Sequence, residues 1–463
     1  MMRGKATLAA GLSLTLLAAA GFCRERSRPN IIVITADAMR ADMGGFSGDG
    51  EVKTPHLDAL AGQGVVFERA YTNITTTTPS HATIFSSLYP FQHRAYSNKA
   101  RISDRIDTLF EIMRGAGWHT AAIVNMRWLN PEVSNIVQGV EELARCRHVR
   151  GAAATNRWVL PFLDRQRDGK KPFLLWVHYV DTHTPYRAPG KYARRYYPAG
   201  RDPRDPRFTS LAEAWKQFPA HHRDNEFIKR WLGGITDVDY VIGTNKGSVS
   251  WLDENVGRLI ARLRKNGQWD NTIFLFTADH GESLGEHGLW FLHGGLFEPT
   301  ARIPMILKAP GLPAGRRVET LVSLVDVMPT LLKMAAVPVP AAAQGEDLRP
   351  LIDGDVRQRV VFMEHAGAYL RALVTPSYKL IVHRRTRNIY PAYPIRKGRV
   401  ELYDLAADAG EGKNLADEKP KLVARLRKLM GEIRRGAKVS FSAGDAELDD
   451  QTRAMLRSLG YTE

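Results

Sequence analysis

A hydroxyl-rich run and a distant acid–imidazole pair are the reactive features of this chain. The first is Thr75-Thr76-Thr77-Thr78-Pro79-Ser80-His81. Hydroxyls crowd ahead of a proline that suits a first helical turn, and an amphipathic run follows, so one hydroxyl is expected at a helix N-terminus among unpaired N–H groups. Such an end holds anions, although the same residues also serve as ordinary caps. The second feature is Thr277-Ala278-Asp279-His280-Gly281-Glu282, which closes a short apolar run rich in β-formers. An acid and an imidazole emerging at the carboxyl end of a buried parallel strand lie where open α/β sheets place their sites. The first apolar strand, over residues 31–36, likewise ends in Thr35-Ala36-Asp37. Two strand ends with the same tripeptide, one followed by His280, suit a hard cation.

From residue 28 to about 351 the pattern alternates strand and helix, which predicts an α/β fold with a mostly parallel sheet and helices on both faces. A helix is expected over 108–116, strands over 119–124 and 173–180, and mostly helix over 231–266. Between 186 and 230 the periodicity fails, and arginines such as Arg194, Arg201 and Arg207 alternate with Tyr192, Tyr197 and Trp215. That segment reads either as a lid over the site or as a surface insertion. After Gly354 short strands are expected at 360–364, 371–374, 378–383 and 400–405, then a basic amphipathic helix over 420–434. They define a smaller C-terminal antiparallel sheet-and-helix subdomain over 355–436, following a catalytic domain over 28–354. Asp404, Asp408 and Glu411 within it read as turn and cap residues. Residues 437–463 are expected to form a tail with one docking helix.

The start of the chain is basic, residues 6–20 are apolar and small, and Ala18-Ala19-Ala20 fits a cleavage site. Residues 1–20 therefore read as a signal peptide, too short for a comfortable membrane span. An exported protein, periplasmic or extracellular, is expected. Membrane attachment would require lipidation of Cys23, which the bulky Phe22 disfavours. Cys23 and Cys146 are the only cysteines, so no disulfide framework supports the fold. A formal net charge of +16 favours anionic partners. It is dispersed and accompanied by no nucleic-acid motif, which points away from nucleic acid and toward sulfated, phosphorylated or lipopolysaccharide-like molecules. Compositional arginine richness is the plain alternative.

Motifs spread along the chain carry a resemblance. They are Pro29-Asn30-Ile31 through Asp42, Thr54-Pro55-His56-Leu57-Asp58, Thr77 through Pro90, Asp181-Thr182-His183-Thr184-Pro185-Tyr186, Asp279 through Gly288, His293 through Pro304, Ser323 through Leu332, and Glu401-Leu402-Tyr403-Asp404-Leu405. In this order and spacing the chain resembles the sulfatases of the alkaline phosphatase superfamily, in the form common among exported bacterial members. The resemblance implies a metal-dependent ester hydrolase. Thr77 falls where relatives carry a Cys or Ser converted to formylglycine, so an unmodified Thr hydroxyl is the implied nucleophile, in need of a metal ion and a helix N-terminus. Asp37, Asp279 and His280, with Thr77, are the implied metal ligands. His183 and His293 match positions that contact the transferred group or protonate the leaving oxygen. His81 replaces an Arg beside the nucleophile, Asn98 is an oxyanion-donor candidate, and Asp181 orients His183 or binds a second metal. Glu282, Glu286 and His287 read as supporting residues. The implied cofactor is a divalent ion, with calcium, magnesium or manganese favoured, and two zinc ions if Asp181, His183 and His293 converge.

Departures from the family narrow the activity. The second Asp of the usual Asp-Asp pair is Ala38, and a Gly-Lys-Trp-His segment that contacts sulfate in many relatives reads Val124-Asn125-Met126-Arg127-Trp128. A formylglycine hydrate expels sulfate by collapsing to the aldehyde, whereas a sulfated Thr would need water attack at sulfur. A phosphorylated Thr is hydrolysed by in-line attack. The expected activity is therefore hydrolysis of sulfuric or phosphoric esters of small anionic molecules, glycans or lipids, with Thr77 favouring phosphate mono- or diesters. Transfer of a phospho-linked head group and non-catalytic anion binding on a sulfatase scaffold are the alternatives.

Overall fold

The computed structural model describes residues 28–48, 50–145, 151–437 and the backbone at 444–445. The expected signal peptide, Cys23, Cys146 and the expected docking helix of the tail lie outside these residues. Strand β1 (Asn30–Ala36) is buried from Ile31 onward, as an apolar run without polar alternation must be when both sheet faces are covered. It pairs in parallel with β5 (Phe173–Tyr179) on one side and β6 (Thr272–Ala278) on the other. The remaining strands are β2 (Val65–Phe67), β3 (His119–Val124), β4 (Glu142–Arg145), β7 (Met305–Lys308) and β8 (Arg316–Val318), in the order β8-β2-β7-β6-β1-β5-β3-β4. Only β7 runs antiparallel to its neighbours.

One group of helices comprises α1 (Pro55–Gln63), α3 (Ala152–Arg165) and α4 (Val238–Lys265), which pack on one another. A second group packs around α2 (Thr77–Ser86), with a helix at Leu109–Gly115 and α5 (Val327–Met334). The helix over 109–115 begins at a Thr108/Glu111 capping box, a local start signal. Within 186–230 the chain forms short helices, Ser210–Lys216, Ala220–Arg223 and Glu226–Leu232. Each is too short to register as a helical period.

The C-terminal subdomain is a four-stranded antiparallel sheet of β9 (Val361–Glu364), β10 (Leu370–Val374), β11 (Tyr378–His383) and β12 (Val400–Asp404), with helix α6 (Pro420–Arg435) packed on β10 and β11. Buried Lys379 on β11 reaches Glu298 and Glu411, each at 2.8 Å. Glu411 also accepts the backbone N–H of Glu298 at 2.6 Å. Glu411 sits in a turn, its N–H on the Asp408 carbonyl, but it is also one of the two acids of a buried ion cluster that fastens the small sheet to the segment after His293. Asp404 and Asp408 do accept turn N–H groups.

Candidate active site

The parallel strands β1 and β6 end in register, Ala36 beside Ala278, which brings Asp37 and Asp279 to one edge. The chain then turns sharply at Ala38, whose φ of 60° is strained for a residue with a Cβ. That turn aims the Ala38 N–H at Asp279 Oδ1, 3.1 Å away. His280 N–H donates to the same oxygen at 2.9 Å, so Asp279 Oδ2 is left without a donor. Both oxygens of Asp37 are likewise buried and unpartnered.

His280 donates from Nδ1 to the Gly281 carbonyl at 2.8 Å. Gly281 is required there, because a Cβ would come within 2.1 Å of the Pro299 carbonyl. The Nε2 lone pair of His280 therefore faces the carboxylates, 3.5 Å from Asp279 Oδ2 and 3.7 Å from Asp37 Oδ1. Thr77 Oγ1 stands 3.5 Å from the same nitrogen. Thr77 opens α2, whose residues are all buried, behind the extended N-cap Thr76. Ser80 locks the helix to the strand end by donating to the Asp279 carbonyl at 2.7 Å.

Asp37, Asp279 and His280 hold ligand atoms within 4.8 Å of one another, the one such group among the described residues. Three unpartnered buried carboxylate oxygens and an inward imidazole lone pair are costly without a cation, and carboxylate with imidazole suits a divalent ion. The donor set fits the implied metal. Burial opposes ionisation of Asp37, but His183, His178 and His280 around it hold its carboxyl below the ordinary range. Burial, then the Asp37 charge, push Asp279 up to about 6.

Two more histidines border the group. His183 donates from Nδ1 to the Thr184 carbonyl and His293 to the Thr75 carbonyl, both at 2.6 Å. Each ring thus leaves Nε2 for the site. The His293 and His280 ring centres are 4.4 Å apart, and those of His293 and His183 6.0 Å. Burial, then His280 and His183, push His293 well below the usual imidazole value. His183 moves the other way: burial lowers it, but Asp37, Glu282 and Asp279 outweigh burial and raise it.

Asn98 accepts the Thr78 N–H through Oδ1 at 2.9 Å, which leaves its Nδ2 as the donor beside the start of α2. Glu282 takes hydrogen bonds from Thr184 and Tyr186 and braces the His183 loop. Glu286 pairs with Arg40 at 2.6 Å, and His287 stacks on Phe297.

Three sequence assignments need correction. Asp181 does not orient His183; its Oδ1 caps Ala152 at 2.9 Å, and the Thr184 carbonyl holds the His183 ring. Asp181, His183 and His293 do not form a second ligand group, so the two-zinc arrangement has no support here. His81, grouped with the catalytic residues, uses both nitrogens inside the protein, on the Thr77 carbonyl at 2.8 Å and Thr35 Oγ1 at 3.0 Å. It braces the start of α2.

Thr35 and His178 escaped sequence reasoning, though a lone imidazole in the apolar run Phe173–Tyr179 was a usable signal. The 186–230 segment leans on the site loop, with Gln217 accepting the Trp290 indole N–H at 3.2 Å. Two of its arginines, Arg201 and Arg207, are paired with Asp237 and Asp205.

The chain as a whole is matched by known proteins. The sulfatase family model covers residues 29–337. The chain belongs to the sulfatase family. A second model, the C-terminal part of N-sulphoglucosamine sulphohydrolase, matches residues 285–436. An arylsulfatase from Clostridium perfringens is 27% identical over 93% of this chain and 100% of its own length. Among solved structures, a phosphonate monoester hydrolase from Silicibacter pomeroyi superposes with a TM-score of 0.72 at 20% identity, covering 91% of this chain and 100% of that one. BT4656 in complex with its substrate D-glucosamine-2-N,6-O-disulfate gives 0.69 at 22%, covering 89% and 98%. At these identities the structures speak for the fold. Membership in the sulfatase family makes the protein an ester hydrolase of a metal-dependent family, and Asp37, Asp279 and His280 are the residues suited to hold the ion.

Proposed function

We propose that this sulfatase-family protein is an exported, metal-dependent hydrolase of phosphoric mono- or diesters in which Thr77 is the nucleophile. The observation that carries the reading is the placement of Thr77 Oγ1 at the buried start of α2, 3.5 Å from His280 Nε2 and beside the Asp37–Asp279 group. A divalent ion held by Asp37, Asp279, His280 and Thr77 would supply the positive charge that stabilises the Thr alkoxide. Thr77, its hydroxyl proton released to solvent, attacks phosphorus in line, an Oγ–P bond forms, and the bond to the leaving oxygen breaks. His183, raised above its usual value, gives that oxygen its proton. Asn98 Nδ2 receives the charge on the phosphoryl oxygens, because the Thr78 N–H is already given to Asn98 Oδ1 and Pro79 has none. Water, giving a proton back to His183, then cleaves the Oγ–P bond and frees Thr77 with phosphate, or with the monoester where the substrate was a diester.

A phosphate preference is favoured by what stands in the expected sulfate-contact segment. Asn125 there is turned away, donating to Thr155 Oγ1 at 2.9 Å. The substrate is expected to be an anionic small molecule, glycan or lipid ester, in keeping with the charge of +16. Turnover of matched aryl sulfate, phosphate monoester and phosphodiester by metal-loaded wild type and Thr77→Ala tests the reading. Phosphoester cleavage lost in the variant is expected; sulfate release that depends on Thr77 would overturn the phosphate preference.

A further inference from the structure

Asp37 shows its two oxygens to different partners. Oδ1 faces His280 Nε2 at 3.7 Å, on the side of the other cation ligands. Oδ2 faces His178 Nε2 at 3.4 Å. His178 is fully buried, and its Nε2 has no hydrogen-bond partner within the protein.

The position of this imidazole follows from strand register. Thr35 on β1 pairs with His178 on β5, so the two side chains share a face. Thr35 Oγ1 lies 3.1 Å from His178 Nδ1, and the Trp176 indole N–H donates to the same hydroxyl at 2.9 Å. His81 Nε2 closes the cluster at 3.0 Å. The His178 ring is thereby pinned at Nδ1, and Nε2 is left aimed at Asp37. The Asp37 backbone is fixed too, its N–H donating to the Tyr179 carbonyl at 2.8 Å.

We infer that His178 is a positioning residue for the cation site: its Nε2 engages Asp37 Oδ2, so that Asp37 presents only Oδ1 to the ion. The inference rests on the proposed metal-dependent reading of the site. It also bears on which ion is taken. Calcium favours six to eight oxygens and accepts bidentate carboxylates, whereas magnesium and manganese favour fewer, regularly placed ligands. A carboxylate limited to one oxygen, together with Ala38 where relatives carry a second Asp, selects the smaller ions. Holding a ligand from behind in this way typically changes metal affinity by about 10- to 100-fold.

The test is a titration of the chelator-stripped full chain with Mn²⁺, followed by its electron paramagnetic resonance, and separately with Ca²⁺ by calorimetry. His178→Gln keeps a donor near the Nε2 position; His178→Asn keeps a group near Nδ1 and removes that donor. Wild type and His178→Gln should bind Mn²⁺ within about threefold of each other. His178→Asn should bind it about 10- to 100-fold more weakly, with Ca²⁺ less affected. Thr35→Val, which frees the ring without touching Asp37, should weaken Mn²⁺ in the same direction and replaces His178→Asn if that variant does not fold. Wild-type Mn²⁺ affinity in a folded His178→Asn or Thr35→Val would overturn the positioning role alone. Failure of wild type to bind any divalent cation would overturn the metal-dependent reading and the inference with it.

Discussion

Strands β1 and β6 finish with the same three residues in register, Thr35-Ala36-Asp37 beside Thr277-Ala278-Asp279, yet the two ends do different work. Thr277 donates to the Pro304 carbonyl at 2.8 Å and is finished as a structural hydroxyl. Thr35 instead gathers Trp176, His178 and His81. The acids diverge as well. Asp279 Oδ1 is satisfied by two backbone N–H groups and its carboxyl is pushed up by burial and Asp37. Asp37 takes no backbone N–H on either oxygen and is kept ionised by the histidines around it. Identical tripeptides acquire distinct roles from the neighbouring strand: β5 brings His178 to one, β7 brings a backbone carbonyl to the other.

The two ends share one property, which is that both acids face the proposed cation position. Asp37→Asn and Asp279→Asn should each abolish high-affinity divalent-ion binding and lower turnover on the order of 10⁴-fold, the scale for a member of an interdependent catalytic set. Ion binding needs Asp279 ionised, and burial, then the Asp37 charge, push its carboxyl up to about 6. Affinity should therefore fall as pH drops below about 6, with proton release on binding below that point; a pH series of calorimetric titrations reads both. In Asp37→Asn the like charge is gone, so Asp279 should titrate lower.

His183 sharpens the contrast from the substrate side, because it responds to both acids. His183→Asn should cost about 10²- to 10⁴-fold in turnover. A raised imidazole value means the acid form persists to higher pH and is lost as pH rises through it. The alkaline limb of kcat/KM should accordingly lie above 6.5 in wild type and vanish in the variant, as pH–rate profiles would record.

The paired threonines provide the subtlest separation. Thr35→Val should lower turnover about 10- to 100-fold by loosening His178 and His81. Thr277→Val, with the Pro304 carbonyl left unpaired, should cost about 1–3 kcal/mol in denaturant unfolding and leave turnover near wild type. Equal effects of the two changes on turnover would erase the distinction between the strand ends.

Much of this was legible in the residues alone. The parallel-sheet pattern, the strand at His119–Val124 and the C-terminal sheet follow from continuous apolar runs, and the repeated Thr-Ala-Asp ends marked Asp37 and Asp279. What was not legible depends on lateral register. Nothing along the chain says that His178 lies beside Thr35, that Asp181 caps a helix instead of holding His183, or that Glu411 meets Lys379. These contacts join segments distant in sequence, and local propensity is blind to them.

The central claim is that Thr77 itself takes the transferred group. Acid-quenching the metal-loaded protein during turnover of a ³²P-labelled aryl phosphate, then locating the label by peptide mass spectrometry, tests it directly. The account predicts label on Thr77 in wild type and none in Thr77→Ala. Sustained phosphoester turnover by Thr77→Ala, or label trapped on a different residue, would contradict it.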